Sequence, residues 1–277
     1  MVRGAHPTIG TPSRREAEQM DLPLLWHIPF SHFNEKARWA LDFKNIPHRR
    51  RVLGGNYLFR AWRATGRGTL PILFLEGKAV GDSTAIIAAL EQYRPEPSLY
   101  PKDPAQLQRA LALEDYFDEV LGPSLRASVV TPLFHEDPEL ALRVLTTGMP
   151  AQAYDNLRPL ARIFPAFYRF RHRIQARRLD QDRAAVAESL ARISRELQPG
   201  GYLVGDAFSV ADLTAAALLA PLLQPAELQY PLAVELPASL RQYRDEVLRH
   251  PAAQWALEIY RRHRGISAEV RRAKKAG

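Results

Sequence analysis

The sequence predicts a small mixed α/β domain followed by an all-helical domain. Three observations carry that expectation. Between residues 22 and 93, short apolar runs alternate with stripes at helical spacing. Pro95, Pro97 and Pro101 then mark a linker over residues 94–103. Beyond it every periodic stretch has helical spacing.

Leu22–Phe30 is an apolar run and reads as a strand. Phe33, Ala37, Ala40 and Leu41 fall on one face of a helix that Pro47 stops. His48–Leu53 gives a second strand. Gly54-Gly55 and Gly66-Arg67-Gly68 punctuate a stretch that reads as loop. Ile72–Leu75 is a buried-type strand, Glu76-Gly77-Lys78 a tight turn, and Ala79-Val80 the return strand. Asp82-Ser83 caps a helix that runs to about Tyr93.

In the second half, Leu107, Leu111, Glu114, Phe117 and Leu121 share one stripe. Pro138 to Leu145 is a short helix. Tyr154 to Ile174 reads as a long helix, bent or split at Pro159 and Pro165. Val186, Leu190, Ile193 and Leu197 form a further stripe. Ser209-Val210-Ala211-Asp212 is a capping-box variant in front of the apolar run Leu213–Leu223, which is too short for a bilayer and reads as the buried centre of a bundle. Helices over 237–248 and 251–262 complete the chain.

Composition bounds the chemistry. The 277 residues are 46% hydrophobic and 25% charged, a soluble globular profile. There is no Cys, so protein thiol nucleophiles, disulfides and thiolate metal sites are excluded. His27, His32 and His48 lack the spacing of a helical metal pair, and no metal is expected. Residues 1–21 show no secretory pattern and read as a flexible extension, and no run approaches a membrane span, so a cytoplasmic location is expected. The net charge of +8 is densest between Arg158 and Arg183, where Phe164, Phe167, Tyr168 and Phe170 interleave with Arg. That pattern fits either a solvated, anion-attracting helix face or a binder of anionic membranes or nucleic acid. No base-reading motif accompanies the charge, so neither nucleic acid nor integral membrane contact is expected.

Ser31 stands out chemically. It sits where the first strand meets the first helix, beside free N–H groups and the positive end of a helix dipole, a place that suits an anion such as a thiolate. As an isolated residue it also reads as an ordinary N-cap.

In this order and spacing, four segments resemble the cytosolic glutathione S-transferase superfamily over roughly Leu22 to Arg262. Ile28-Pro29-Phe30-Ser31-His32-Phe33-Asn34-Glu35-Lys36-Ala37-Arg38 is similar to its catalytic turn and first helix. Thr69-Leu70-Pro71-Ile72-Leu73 is similar to its cis-proline turn, and Gly81-Asp82-Ser83-Thr84-Ala85-Ile86 to its glutamyl-binding turn. Phe208-Ser209-Val210-Ala211-Asp212-Leu213 is similar to its structural capping box.

The resemblance implies a thioredoxin-like α/β domain over 22–94, a linker over 95–103, an all-α helical-bundle domain over 104–264 and a basic tail over 265–277. It implies glutathione as co-substrate, a small hydrophobic electrophile as second substrate, and a homodimer. Ser31 becomes the catalytic residue, of the serine type, that stabilises the glutathione thiolate. Phe33, Leu70, Pro71, Asp82 and Ser83 become substrate-binding residues. The tripeptide supplies the reasons. Its γ-glutamyl carboxylate suits Ser83 and the N–H groups after Asp82. Asp82 is placed to meet the ammonium or to cap. The cysteinyl backbone suits Leu70, whose polar groups a cis bond to Pro71 turns outward. Asn56, Arg60, Arg63 and Arg67 all compete for the glycyl carboxylate. His32 either tunes the thiolate or packs. Trp39 and Phe117 are expected in the core. A non-catalytic glutathione- or partner-binding scaffold of the same fold is the alternative.

Overall fold

The structure, a computed structural model, describes residues 22–54, 57–150, 152–160, 163–232 and 235–271. The expected extension over residues 1–21, Asn56, and the last six residues of the basic tail lie outside the described residues.

The first half forms β1 (Leu24–His27), α1 (His32–Phe43), β2 (Arg49–Val52), α2 (Tyr57–Thr65), β3 (Ile72–Leu75), β4 (Lys78–Gly81) and α3 (Ser83–Tyr93). The strands make one sheet in the order β2-β1-β3-β4. β1 and β2 run parallel across α1, whereas β3 pairs antiparallel with both β1 and β4. The mixed sheet is therefore a βαβ unit joined to a hairpin. Glu76 and Gly77 both take positive φ at the hairpin tip, where the turn needs it.

One expectation fails here. The stretch read as loop between Gly54 and Gly66 holds α2. Leu58, Ala61 and Trp62 do keep helical spacing, but the run is only nine residues long, buries Ala61 alone, and lies between Gly54 and Gly66, which read as loop punctuation.

The second half is helical: α4 (Pro104–Tyr116), α5 (Gly122–Glu136), α6 (Pro138–Leu145), α7 (Gln152–Leu157), α8 (Phe164–Arg171), α9 (Leu179–Glu196), α10 (Val210–Leu223), α11 (Ala238–Leu248) and α12 (Pro251–His263). α4 and α5 are joined by a wide turn, Phe117–Leu121, with π-type hydrogen bonding. The buried stripe is Ala110, Leu113, Glu114, Phe117 and Leu121, while Leu107 and Leu111, expected in it, are only half-buried. The helix expected over 154–174, bent or split at Pro159 and Pro165, is split into α7, a short 3-10 turn at Arg158–Leu160 and α8. Pro159 and Pro165 each lack a donor, and Pro165 stands in the first turn of α8, where that lack costs nothing.

All fourteen residues of α10 are buried, so it is the axis of the bundle. It packs on α1, α4, α5 and α12, and so ties the two halves together. Asp212 holds its start. Its carboxylate accepts from Ser209 N at 2.9 Å, Ser209 Oγ at 2.7 Å and Leu203 N at 2.8 Å. Burial pushes its pKa up to about 6 against those hydrogen bonds. Trp39 and Phe117 lie in the core, as expected, and Trp39 Nε1 donates to the His263 carbonyl at 3.0 Å.

Residues after α12 return to the sheet. His48 bridges Glu269 in parallel, and Val270 N donates to His48 O at 2.8 Å, which covers the edge of β2. His48 is buried. Its Nδ1 lies 2.8 Å from the Ile46 carbonyl, and its Nε2 accepts from Arg50 Nε at 2.9 Å, so it is neutral with the proton on Nδ1. Burial, then the Arg50 charge, pushes its pKa down to about 4. The unfolded chain protonates this ring near 6.5 and the folded chain does not until about 4, so stability falls as pH drops between those values. The full loss is about 3 kcal/mol at about 1.4 kcal/mol per pKa unit. Urea titrations of wild type and His48→Gln between those pH values check this. The wild-type midpoint should fall more steeply with acid, and equal slopes would remove the assignment.

Candidate active site

Arg38 builds the turn that carries Ser31. Its guanidinium donates to the Ile28 carbonyl at 3.2 Å and the Pro29 carbonyl at 2.9 Å, and it pairs with Glu35 at 2.8 Å. The backbone after β1 is thus held from inside the helix that follows it. Ser31 takes the N-cap position of α1 in extended conformation, but its hydroxyl makes no capping hydrogen bond. Instead Asn34 Nδ2 donates to Ser31 Oγ at 2.7 Å, while Asn34 Oδ1 accepts from Ile28 N at 3.1 Å. The second contact orients the amide, so Ser31 Oγ acts as acceptor and its own proton is free for an outside acceptor. The ordinary N-cap reading of Ser31 is therefore set aside by geometry. Asn34 was not singled out from the sequence, and its place one turn after a cap-like serine was the available signal.

Ser31 lines a cleft of about 410 Å³ between the two halves of the chain. Phe33, Leu70, Pro71, Asp82 and Ser83 line the same cleft, so all six residues expected at a site come together. The Leu70–Pro71 peptide is cis. Asp82 N donates to Pro71 O at 3.3 Å, which joins the two turns. The cap of α3 needs a correction. Asp82 alone is the N-cap, its carboxylate accepting from Thr84 N at 2.9 Å, and Ser83 is the first helical residue. Asp82 holds φ at 81°, a conformation that costs a non-glycine residue and that clusters at functional sites.

A buried cation sets the spacing of the two helix starts. Lys36 Nζ, on α1, donates to Thr84 Oγ1 at 3.0 Å and pairs with Glu114 at 2.8 Å and Asp118 at 2.6 Å. One ammonium thus ties α1, α3 and the α4–α5 turn behind the cleft.

His32 packs. It is buried, its ring centre is 4.6 Å from that of Phe33, and burial with the Arg126 charge holds it neutral, its pKa well below the usual range. Arg60, Arg63 and Arg67 do not line the cleft, and Arg60 stacks over Trp26 at 5.0 Å. The cleft's cations come from the helical half: Arg126 on α5, Arg171 on α8, and Arg173. Arg171 Nη2 donates to the Gly68 carbonyl at 2.9 Å, beside the Leu70 turn. Part of the Arg-rich segment is thus spent internally, with Arg183 stacked over Tyr243 at 4.3 Å as a second case. Among the described residues no group of three or more acidic or His side chains is placed to hold a metal, and no helix is long and apolar enough to cross a membrane.

The family descriptions match on both sides of the cleft. Residues 25–98 match the glutathione S-transferase N-terminal domain, and residues 175–246 match the glutathione S-transferase C-terminal domain. The chain belongs to the cytosolic glutathione S-transferase superfamily. Its fold is similar to that of glutathione transferase GSTFuA3 from Phanerochaete chrysosporium, with 20% identity, a TM-score of 0.59, and coverage of 89% of this chain and 98% of that one. A possible glutathione S-transferase from Rhodopseudomonas palustris is similar at 15% identity and a TM-score of 0.55, with 89% and 98% covered. A glutathione S-transferase from Methylobacterium radiotolerans, in complex with glutathione sulfonate, is similar at 22% identity and a TM-score of 0.50, with 85% and 94% covered. No curated protein matches this chain in sequence.

Proposed function

We propose that this chain is a serine-type glutathione transferase in which the Ser31 hydroxyl donates a hydrogen bond to the thiolate of bound glutathione. The observation that carries this is the Ser31–Asn34 contact, which leaves a hydroxyl proton unspent at the floor of a cleft. The glutathione sulfonate held by the Methylobacterium protein is consistent with it. In this reading the γ-glutamyl carboxylate meets Ser83 and the first N–H groups of α3. Asp82 faces the ammonium, the cysteinyl backbone pairs with Leu70 beside Pro71, and the thiol reaches Ser31. Phe33 packs against the substrates.

The first α1 N–H groups and the helix dipole add to the hydroxyl in favouring the charged sulfur. The sulfur lone pair then forms a C–S bond to the electrophile, and a leaving group departs with its bonding pair. Val129, Val130 and Leu145 give the second substrate an apolar wall. A cytoplasmic homodimer belongs to the same proposal on family grounds, and sedimentation of the purified chain tests the dimer. The reading as a whole is tested by calorimetry with glutathione and turnover of a chlorodinitrobenzene. Binding with turnover is expected, and tight binding with no turnover across an electrophile panel would instead favour the scaffold.

Gly122 gives a further check. A Cβ there would lie 2.6 Å from Phe33 Cζ, so Gly122→Ala displaces the Phe33 ring, which lines the cleft. Losing about 1 kcal/mol of aromatic packing between the displaced ring and an aromatic electrophile would raise KM about fivefold. An unchanged KM would take Phe33 out of the second-substrate site.

A further inference from the structure

The cleft is cationic on one wall. Arg126, Arg171 and Arg173 line it, whereas its one lining carboxylate, Asp82, is engaged with Thr84 N. Arg126 is the cation nearest Phe33 and has no carboxylate partner among the described residues. Half-buried, it forms no ion pair with a described acidic residue, and its hydrogen bond is to His172 Nδ1 at 3.0 Å. A guanidinium only donates, so His172 Nδ1 accepts and that ring carries its proton on Nε2, a second donor. Burial, then the Arg126 charge, pushes His172 down to about 3, so it stays neutral beside Arg126. The Arg126 guanidinium lies 5.3 Å from the centre of the Phe33 ring, two residues from Ser31. His32, on α1, lines the cleft too, and its Nε2 is buried with no partner. A half-buried guanidinium with donors open to the cleft pairs with an anion more strongly than one on the outer surface does. A flat carboxylate matches the guanidinium fork, and Phe33 and Tyr168 flank it with aromatic surface.

We propose that Arg126 and His172 seat a carboxylate carried by the electrophile, so that the second substrate is a planar, apolar acid rather than a neutral hydrophobe. The proposal rests on the transferase reading for the word electrophile, but the seat itself is read by binding. Nitrobenzoate and its neutral counterpart nitrobenzamide are titrated by calorimetry into wild type, Arg126→Gln and Arg126→Lys, with and without saturating glutathione. Wild type should bind the acid roughly tenfold or more tightly than the amide, with glutathione present as well as absent. Arg126→Gln should lose the preference, and Arg126→Lys, which keeps the charge, should retain part of it. Equal affinity for acid and amide, no binding of either, or a preference that survives in Arg126→Gln overturns the proposal. Competitive displacement of nitrobenzoate by glutathione also overturns it, because the seat then belongs to the glycyl carboxylate. If the acid preference stands while no electrophile is turned over, the seat is supported and it is the transferase reading that fails.

Discussion

Ser31→Ala is expected to lower kcat/KM at neutral pH by about 10- to 100-fold and to move the acidic limb of its pH profile upward by about one to two units. A free thiol titrates near 8.5, and each pKa unit is worth about 1.4 kcal/mol. One charge-assisted hydrogen bond is worth about 1.5–3 kcal/mol, which covers that shift. The change should leave the fold alone, because the hydroxyl makes no cap bond to α1. It does remove the acceptor for Asn34 Nδ2, which water in the open cleft can replace. Asn34→Ala should therefore give a weaker version of the same shift by loosening the hydroxyl's aim. A parallel fall at every pH would point to lost binding rather than a lost thiolate partner.

Arg264→Met is the change with the largest expected cost to stability. Arg264 is fully buried at the end of α12, where Nε donates to Glu35 at 2.6 Å and Nη1 to Asp42 at 2.9 Å. Burial pushes Glu35 up, but the charges of Arg264 and Arg38 outweigh it and hold Glu35 below its ordinary value. Removing one member of a buried ion network strands the others, at about 3–5 kcal/mol. At about 2–4 °C per kcal/mol, the midpoint of thermal unfolding should drop by roughly 10 °C. The same carboxylate, Glu35, aligns Arg38, which pins the Ile28 and Pro29 carbonyls. Glutathione should protect the variant less than it protects wild type. A midpoint within a degree of wild type would show that the network is not what joins the helical half to the Ser31 turn.

The sheet, the buried α10 and six of the cleft residues were legible in the sequence because each depends on local chain chemistry. Pro71 fixes its own turn, Asp82 caps the helix it starts, and Asp212 announces a helix start. What escaped needed the tertiary structure. α2 buries one residue, and its short apolar stripe sits between glycines that read as loop. α5 buries all of Ala127–Phe134 in succession and therefore has no periodicity to read. Arg171 and Arg126 belong to helices whose sequence says nothing about which wall they face. For Arg126 the local signal was an Arg in an apolar helix with no acidic residue three or four positions away. The glycyl-carboxylate candidates illustrate the same limit: Arg60, Arg63 and Arg67 do not line the cleft, which draws its cations from Arg126, Arg171 and Arg173 in the helical half.

Thiolate absorbance of glutathione bound to the wild-type protein, followed in the ultraviolet as pH is lowered, addresses the role of Ser31 most directly. The bound thiol should stay ionised well below its value in free solution, and return toward that value in Ser31→Ala. Identical titration curves for the two proteins would contradict it.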